Sequence, residues 1–300
     1  MKFYVAVTDD AWFNNLRAMS PPPEEVNFWT GSAANHEPGT PWLFKLHSPN
    51  NFIVGGGYFT YYTKMPLVIV WDAFGRLNGV DSLDTLKKAI GQYRDDSTSL
   101  TTSIGCAVLS QPFFWSRDQW LPAPEDWSPN IVTRKSYETE DAVGAAVWRT
   151  VMDRFPKPVA PLRNSVTGGF GKPQLVRPRL NQGAFRLMVT DAYHRRCAVT
   201  GEKALPALEA AHIMPFAEVQ THEVSNGLLL RADIHRLFDL GYVTVAPDYR
   251  FLVSKAIRDE FTNGRDYYGL NGRTIALPET PSTVPDPALL ERHISTIFRG

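Results

Sequence analysis

The chain has 300 residues, room for two domains, and its 43% hydrophobic and 12% aromatic content is that of a globular protein, not a disordered one. No apolar run approaches the length of a membrane span, the opening MKFYVAVTDDAWF carries no signal-peptide pattern, and Cys106 and Cys197 are too few and too far apart for a zinc ribbon or a disulfide scaffold. A reducing, cytoplasmic setting is therefore expected. Net charge is zero, which by itself counts against a nucleic-acid partner, but the charge is unevenly spread. Lys plus Arg against Asp plus Glu number 13 and 17 over residues 1–156, 9 and 2 over 157–203, and 9 and 12 over 204–300. A basic middle between acidic ends is the asymmetry of a surface that tracks phosphates, with an Arg-rich solvated linker as the plainer alternative.

Taken in order, residues 1–155 read as an α+β domain. Lys2–Thr8, Trp42–Leu46, Phe52–Val54, Tyr58–Tyr62 and Leu67–Trp71 have the β-branched and aromatic content of short strands, with a bend expected at Gly55–Gly57. Ser82–Arg94 has Leu83, Leu86, Ile90 and Tyr93 at helical spacing, with Asp81 or Ser82 as cap. Ile104–Ser110 reads as a buried strand, a Pro- and Trp-rich loop runs to Pro129, and Ala142–Phe155 closes the domain as a helix. Residues 156–179 have the composition of a basic Pro/Gly linker. The second domain, 180–300, opens with a helix at Gln182–His194. Beyond its central motif it holds a strand pair at Tyr242–Ala246 and Phe251–Ser254 and a closing helix at Pro287–Phe298.

That central motif is AAHIMPFAEVQTHEVSNGLLLRADIHRLFDLG, from Ala210 to Gly241, with 13 residues between His212 and Asn226 and 8 between Asn226 and His235. His212 ends an apolar strand, where a neutral imidazole can take a proton from water near pH 7. Asn226 and Gly227 read as a turn pair whose amide can hold the His-bearing loop. His235 and Asp239 lie four apart and share one helix face, so both can point at one ion and leave coordination sites for water and phosphate. His222 and His194 read as surface or packing residues, and Cys197 as a buried small apolar side chain.

AAHI, NGLLL and IHRLFDLG, with the lead-in YHRRCAVTG, resemble the HNH (ββα-metal) restriction endonucleases over about residues 180–245, and the downstream segment resembles the same family's tail. The resemblance implies an endonuclease hydrolysing phosphodiester bonds with one divalent ion, Mg²⁺ first and Mn²⁺ as another choice. His212 would be its general base, Asn226 the orienting residue and His235 a metal ligand, with Asp239 where many members place a second helix ligand. One departure stands out: Ala211 occupies the position before the base where many members carry another ligand. Glu209 is the nearest carboxylate, although strand alternation places positions 209 and 212 on opposite faces. Either Glu209 compensates through an irregular backbone, or His235, Asp239 and the substrate phosphate hold the ion. Arg177, Arg179, Arg195 and Arg196 are candidate phosphate contacts.

The first 62 residues hold Trp12, Trp29, Trp42, Phe44, Tyr58, Phe59, Tyr61 and Tyr62. A small sheet with aromatic loops can receive an extruded base, and Trp29, Trp42 and Tyr58 are the first candidates for its pocket. The order PGTPWLFKL, then NFIVGGGYF, broadly resembles PUA-like modified-base readers of the SRA, EVE and YTH kind, which implies a small β-barrel or sheet with helices. Together these readings predict a modification-dependent DNA endonuclease of a restriction or phage-defence system. It would act on double-stranded DNA bearing a modified, cytosine-derived base, and would dimerise on DNA to break both strands. The alternatives are a non-specific HNH toxin nuclease, an HNH effector whose first domain senses a small nucleotide, and a DNA-reading protein without activity.

Overall fold

Apolar side chains buried along Lys2–Thr8 make it β1, the inner strand on which the first half of the chain is built. It pairs in parallel with β3 (Pro41–Leu46), Tyr4 opposite Trp42, and antiparallel with β7 (Arg134–Glu138). With β2 (Glu25–Thr30), β4 (Phe52–Pro66) and β5 (Ser103–Phe114) the order is β2-β5-β4-β3-β1-β7, and β6 (Leu121–Pro122) adds to the start of β4. In place of a closed barrel, the described residues form an open mixed sheet whose outer strands, β2 and β7, do not pair with each other. This computed structural model describes residues 1–34, 36–93, 98–154, 181–219 and 222–300, and the expected linker 156–179, with Arg177 and Arg179, lies outside them.

Two expectations for this sheet fail for identifiable reasons. Gly55–Gly57 is not a bend but the interior of β4. A Cβ at Gly55 would stand 2.2 Å from the Phe113 carbonyl oxygen, and one at Gly56 would stand 2.6 Å from both the Phe113 ring and the Trp42 carbonyl oxygen. The glycines therefore let neighbouring strands approach. Leu67–Trp71 is not a strand but most of a helix, α2 (Leu67–Phe74), after α1 (Asp10–Arg17). It begins directly after Pro66 and buries Leu67, Ile69, Val70 and Phe74, and a short apolar run of this kind is ambiguous by periodicity alone. The helix α3 (Leu83–Gly91) is capped as expected, the Ser82 hydroxyl accepting from Thr85 N–H at 3.1 Å, and α4 (Ala142–Met152) ends the described part of this half.

The chain divides into two compact units, Met1–Arg179 and Leu180–Gly300. In the second, α5 (Gln182–Ala192) buries Phe185, Leu187 and Val189 against the hairpin of β8 (Leu208–His212) and β9 (Gly227–Arg231). Between these strands lies the short α6 (Phe216–Val219), and after them come α7 (Ala232–Asp239) and the antiparallel pair β10 (Val243–Val245) and β11 (Phe251–Val253). The short helices α8 (Ala256–Phe261) and α9 (Arg265–Tyr268) precede the closing α10 (Pro287–Thr296), whose Asp286 cap accepts from Ala288 N–H. Leu228, Leu229, Leu230, Ile234 and Phe238 are buried, so one continuous core fixes β9 and α7 together. Cys197 is buried in it, as expected, and Cys106 is buried in the first unit. Among the described residues no helix is long and apolar enough to cross a membrane.

Candidate active site

The hairpin register places Leu208 opposite Arg231 and His212 opposite Gly227, so the imidazole stands at the end of β8 beside the start of β9. Asn226 precedes that start and is fully buried. Its side-chain oxygen accepts from Met214 N–H at 2.9 Å and its amide donates to the Met214 carbonyl at 3.0 Å, while its own carbonyl accepts from Ile213 N–H at 2.9 Å. This two-point clamp closes the loop behind His212. Gly227, expected to serve a turn, has extended backbone at φ −128° and ψ 143°. Its small size serves packing instead: a Cβ there would lie 2.5 Å from Val189 and 3.0 Å from the Phe185 ring. That Phe185 ring stacks on His212, with centroids 3.9 Å apart and planes within 7°, and sets the plane of the imidazole.

His212 is half-buried, and burial, then the neighbouring His222 and His235, lower its pKa to about 4. It is neutral at pH 7, and when its Nε2–H donates to His222 its Nδ1 keeps a lone pair to offer. Its Nε2 lies 3.0 Å from His222 Nδ1, so one of the two imidazoles donates to the other and the tautomers are coupled. His222 also stacks on Phe216, at 4.1 Å and 9°. The stack fits the reading of His222 as a surface or packing residue, and the contact with His212 adds a neighbour that this reading did not include. The signal was available in a second histidine ten residues from the first, but a loop of irregular backbone gives no periodicity from which to aim it.

His235 is carried by the first turns of α7. Its Nδ1 lies 2.6 Å from Glu209 Oε2, and its Nε2 lies 3.5 Å from Asp239 Oδ2. Glu209, His212, His235 and Asp239 line one cavity of about 480 Å³, together with Gln182 and Arg186 of α5. The opposite-face expectation for positions 209 and 212 therefore does not hold. Along β8, Leu208 and Ala211 are buried whereas Glu209, Ala210 and His212 are half-exposed, a departure from strict alternation. Two-stranded ribbons twist strongly, and the length of a glutamate side chain covers the remaining offset.

One imidazole and two carboxylates are a donor set suited to a hard divalent cation. As placed, they make pairwise contacts, and no three of the described His, Cys, Asp or Glu side chains converge on a single point. The Glu209 contact engages His235 Nδ1, leaving Nε2 on the side of Asp239.

His293 of α10, which sequence reasoning did not single out, also borders this cavity. It is 1% exposed, stacks on Phe238 at 3.8 Å, and its Nδ1 lies 2.8 Å from Thr244 Oγ1. Burial lowers its pKa to about 4, which holds it neutral between α7, β10 and α10. Arg195 and Arg196 sit in the turn after α5, outside the cavity lining, with Arg195 3.6 Å from Asp191, and His194 is exposed, 3.3 Å from Glu279.

The structure does not bring Trp29, Trp42 and Tyr58 together. Trp29, half-buried, lines a cavity of about 750 Å³ in the first unit. Trp42 is 0% exposed, because β3 is buried on both faces, and packs among Tyr4, Phe28, His36 and Phe59. Tyr58 borders a separate gap of about 10 Å³ beside Trp42, too small for a base.

Residues 197–246 match the family model described as HNH endonuclease. Among curated proteins none matches the chain. Among solved structures, the chain is similar to an ASCH protein from Zymomonas mobilis at 8% identity and TM-score 0.35, over 50% of this chain and 94% of that one. It is also similar to a modification-dependent restriction endonuclease, TagI, at 11% identity and TM-score 0.30, over 99% of this chain and 81% of that one. With the family match spanning β8, β9 and α7, the second unit contains an HNH endonuclease domain.

Proposed function

We propose that the chain is a modification-dependent DNA endonuclease of a restriction or phage-defence system, its first unit a PUA-like reader of a modified, cytosine-derived base. The observation that carries the nuclease reading is the convergence of His212, His235, Asp239 and Glu209 on one cavity behind the Asn226 clamp. His212, neutral and fixed in plane by Phe185, takes the proton from the attacking water. His222 is placed to relay or retain that proton through the shared Nε2–Nδ1 contact. His235 and Asp239 would hold a divalent ion, Mg²⁺ or Mn²⁺, with Glu209 orienting His235 through Nδ1. When bound, that ion supplies positive charge beside the leaving 3′ oxygen. Arg186, on the cavity wall, offers a guanidinium to the phosphate. One such site cuts one strand, so a double-strand break takes two protomers or two events.

The test is digestion of matched duplexes bearing cytosine, 5-methylcytosine, 5-hydroxymethylcytosine, glucosylated cytosine or N6-methyladenine, with Mg²⁺ or Mn²⁺. Cleavage confined to one or more modified cytosine duplexes is expected. Equal cleavage of the unmodified duplex would favour a non-specific nuclease instead, and no cleavage with any divalent ion would remove the enzymatic reading.

A further inference from the structure

The two side chains proposed to hold the ion sit on α7, a helix of only 8 residues, and the end of that helix is held from α10. Asp239 is the last residue of α7 and is exposed, so its place follows that of a helix end, where backbone frays. Mg²⁺ takes its donors at about 2.0–2.1 Å in near-octahedral array, which leaves little room for fraying.

The segment around α10 reaches three parts of the motif. At its start, Asp286 N–H donates to the Ser225 carbonyl at 2.9 Å, next to Asn226. In its middle, Arg292 Nη2 donates to Glu218 Oε2 of α6 at 2.7 Å. Beyond its end, Arg299 N–H donates to the Gly241 carbonyl at 2.9 Å. Gly241 has a φ of +76°, and a Cβ there would stand 2.1 Å from the Ile297 carbonyl oxygen. Both the left-handed conformation and this close approach call for glycine two residues after Asp239.

His293 touches α7 directly. It is 1% exposed, and its ring stacks on Phe238 with centroids 3.8 Å apart and planes within 17°. Its Nδ1 lies 2.8 Å from Thr244 Oγ1 of β10, a hydroxyl on a fully buried residue. Its Nε2 is buried with no hydrogen bond of good geometry among the described residues, although the Phe238 backbone is near enough to favour a protonated ring. An apolar ring would fill the same space without leaving a buried nitrogen poorly paired. What the imidazole adds is the Thr244 anchor. At about 100° of turn per residue, fixing Phe238 also sets the direction of Asp239, one residue on, and of His235, three residues back.

We infer that His293 is a positioning residue for the divalent ion: anchored on Thr244, it holds the last turn of α7 so that Asp239 stays within reach of His235 Nε2. It does so without touching the ion. This role rests on the proposed ion site and names what keeps that site in shape.

The test is calorimetric titration of the full chain, without DNA, with Mn²⁺. Wild type is compared with Thr244→Val, His293→Phe and the double variant, with circular dichroism to confirm folding and urea midpoints for stability. Each single variant removes the anchor from one side and should bind Mn²⁺ about tenfold more weakly, the low end of the effect of losing an outer partner of metal ligands. The double variant replaces both polar partners with apolar groups of similar shape, so its urea midpoint should recover towards wild type while its Mn²⁺ affinity stays low. Thr244→Val, close in shape to the original, keeps the test alive if His293→Phe does not fold. Wild-type affinity in the folded single variants, or an affinity that recovers with the midpoint in the double variant, would overturn the positioning role and leave His293 a packing residue. No Mn²⁺ binding by wild type would instead remove the proposed ion site, and this role with it.

Discussion

Removing the Asn226 amide should unfasten the loop behind His212 and cost the second unit a large part of its stability. In Asn226→Ala the backbone N–H and carbonyl of Met214, a fully buried residue, both lose their side-chain partner. Each orphaned buried group costs about 1–3 kcal/mol, so the pair amounts to about 2–6 kcal/mol, against about 5–15 kcal/mol of total stability for a typical domain. Asn226→Asp separates the two contacts, because it keeps the acceptor for Met214 N–H but sets a carboxylate oxygen against the Met214 carbonyl. That carboxylate should have a folded pKa raised above its unfolded value near 3.9. Relative to wild type, the variant's loss of stability should therefore be smallest below about pH 4 and grow as pH rises through the raised value. All eight tryptophans precede Arg149, so intrinsic fluorescence reports on the first unit, and amide hydrogen exchange is the suitable assay. In Asn226→Ala the amides of Ile213 and Met214 should exchange faster while the sheet of the first unit keeps its protection, and cleavage should be lost. Unchanged protection at these amides with wild-type cleavage would refute the clamp.

Three further outcomes follow from the same geometry. His235→Ala and Asp239→Asn should each weaken Mn²⁺ binding measured by calorimetry on the DNA-free protein; unchanged affinity would remove that side chain from the ion. His212 and His293 both have folded pKa values lowered to about 4 from 6.5, so the folded state binds fewer protons than the unfolded one. Their contribution to stability is present above pH 6.5 and is lost as pH falls from there through 4, and His293→Gln should flatten the slope of urea midpoint against pH in this window. Gly227→Ala should displace Phe185 from His212 and lower cleavage without altering the fold of the first unit, as nuclease assay and exchange together would show; full activity would mean the Phe185 stack is dispensable.

The ββα hairpin was legible because its signals are local. The apolar strand ending in His212, the NGLLL run and the i, i+4 pair His235 and Asp239 each follow from spacing along one element. What escaped depends on contacts between elements. Glu209 was named as the nearest carboxylate, but not its contact with His235; His222 meets His212 across an irregular loop, and His293 arrives from α10 some 58 positions after His235 in sequence. In the first unit the aromatic density was visible, but which rings form core and which line a cavity was not. Trp42 lies on a strand buried on both faces and Trp29 near the end of one that is not, a difference set by neighbours distant in sequence. The apolar run LVIVW likewise became helix, because its composition fits either state and packing decided.

The proposed function stands or falls with DNA cleavage by His212 and its cavity. The most direct measurement is single-turnover cleavage of the preferred modified duplex with Mg²⁺ or Mn²⁺, comparing wild type with His212→Ala alongside their DNA affinities. His212→Ala should lose cleavage, on the order of 10²–10⁴-fold for removal of a general base, with DNA affinity nearly unchanged. Cleavage by His212→Ala at the wild-type rate would contradict it.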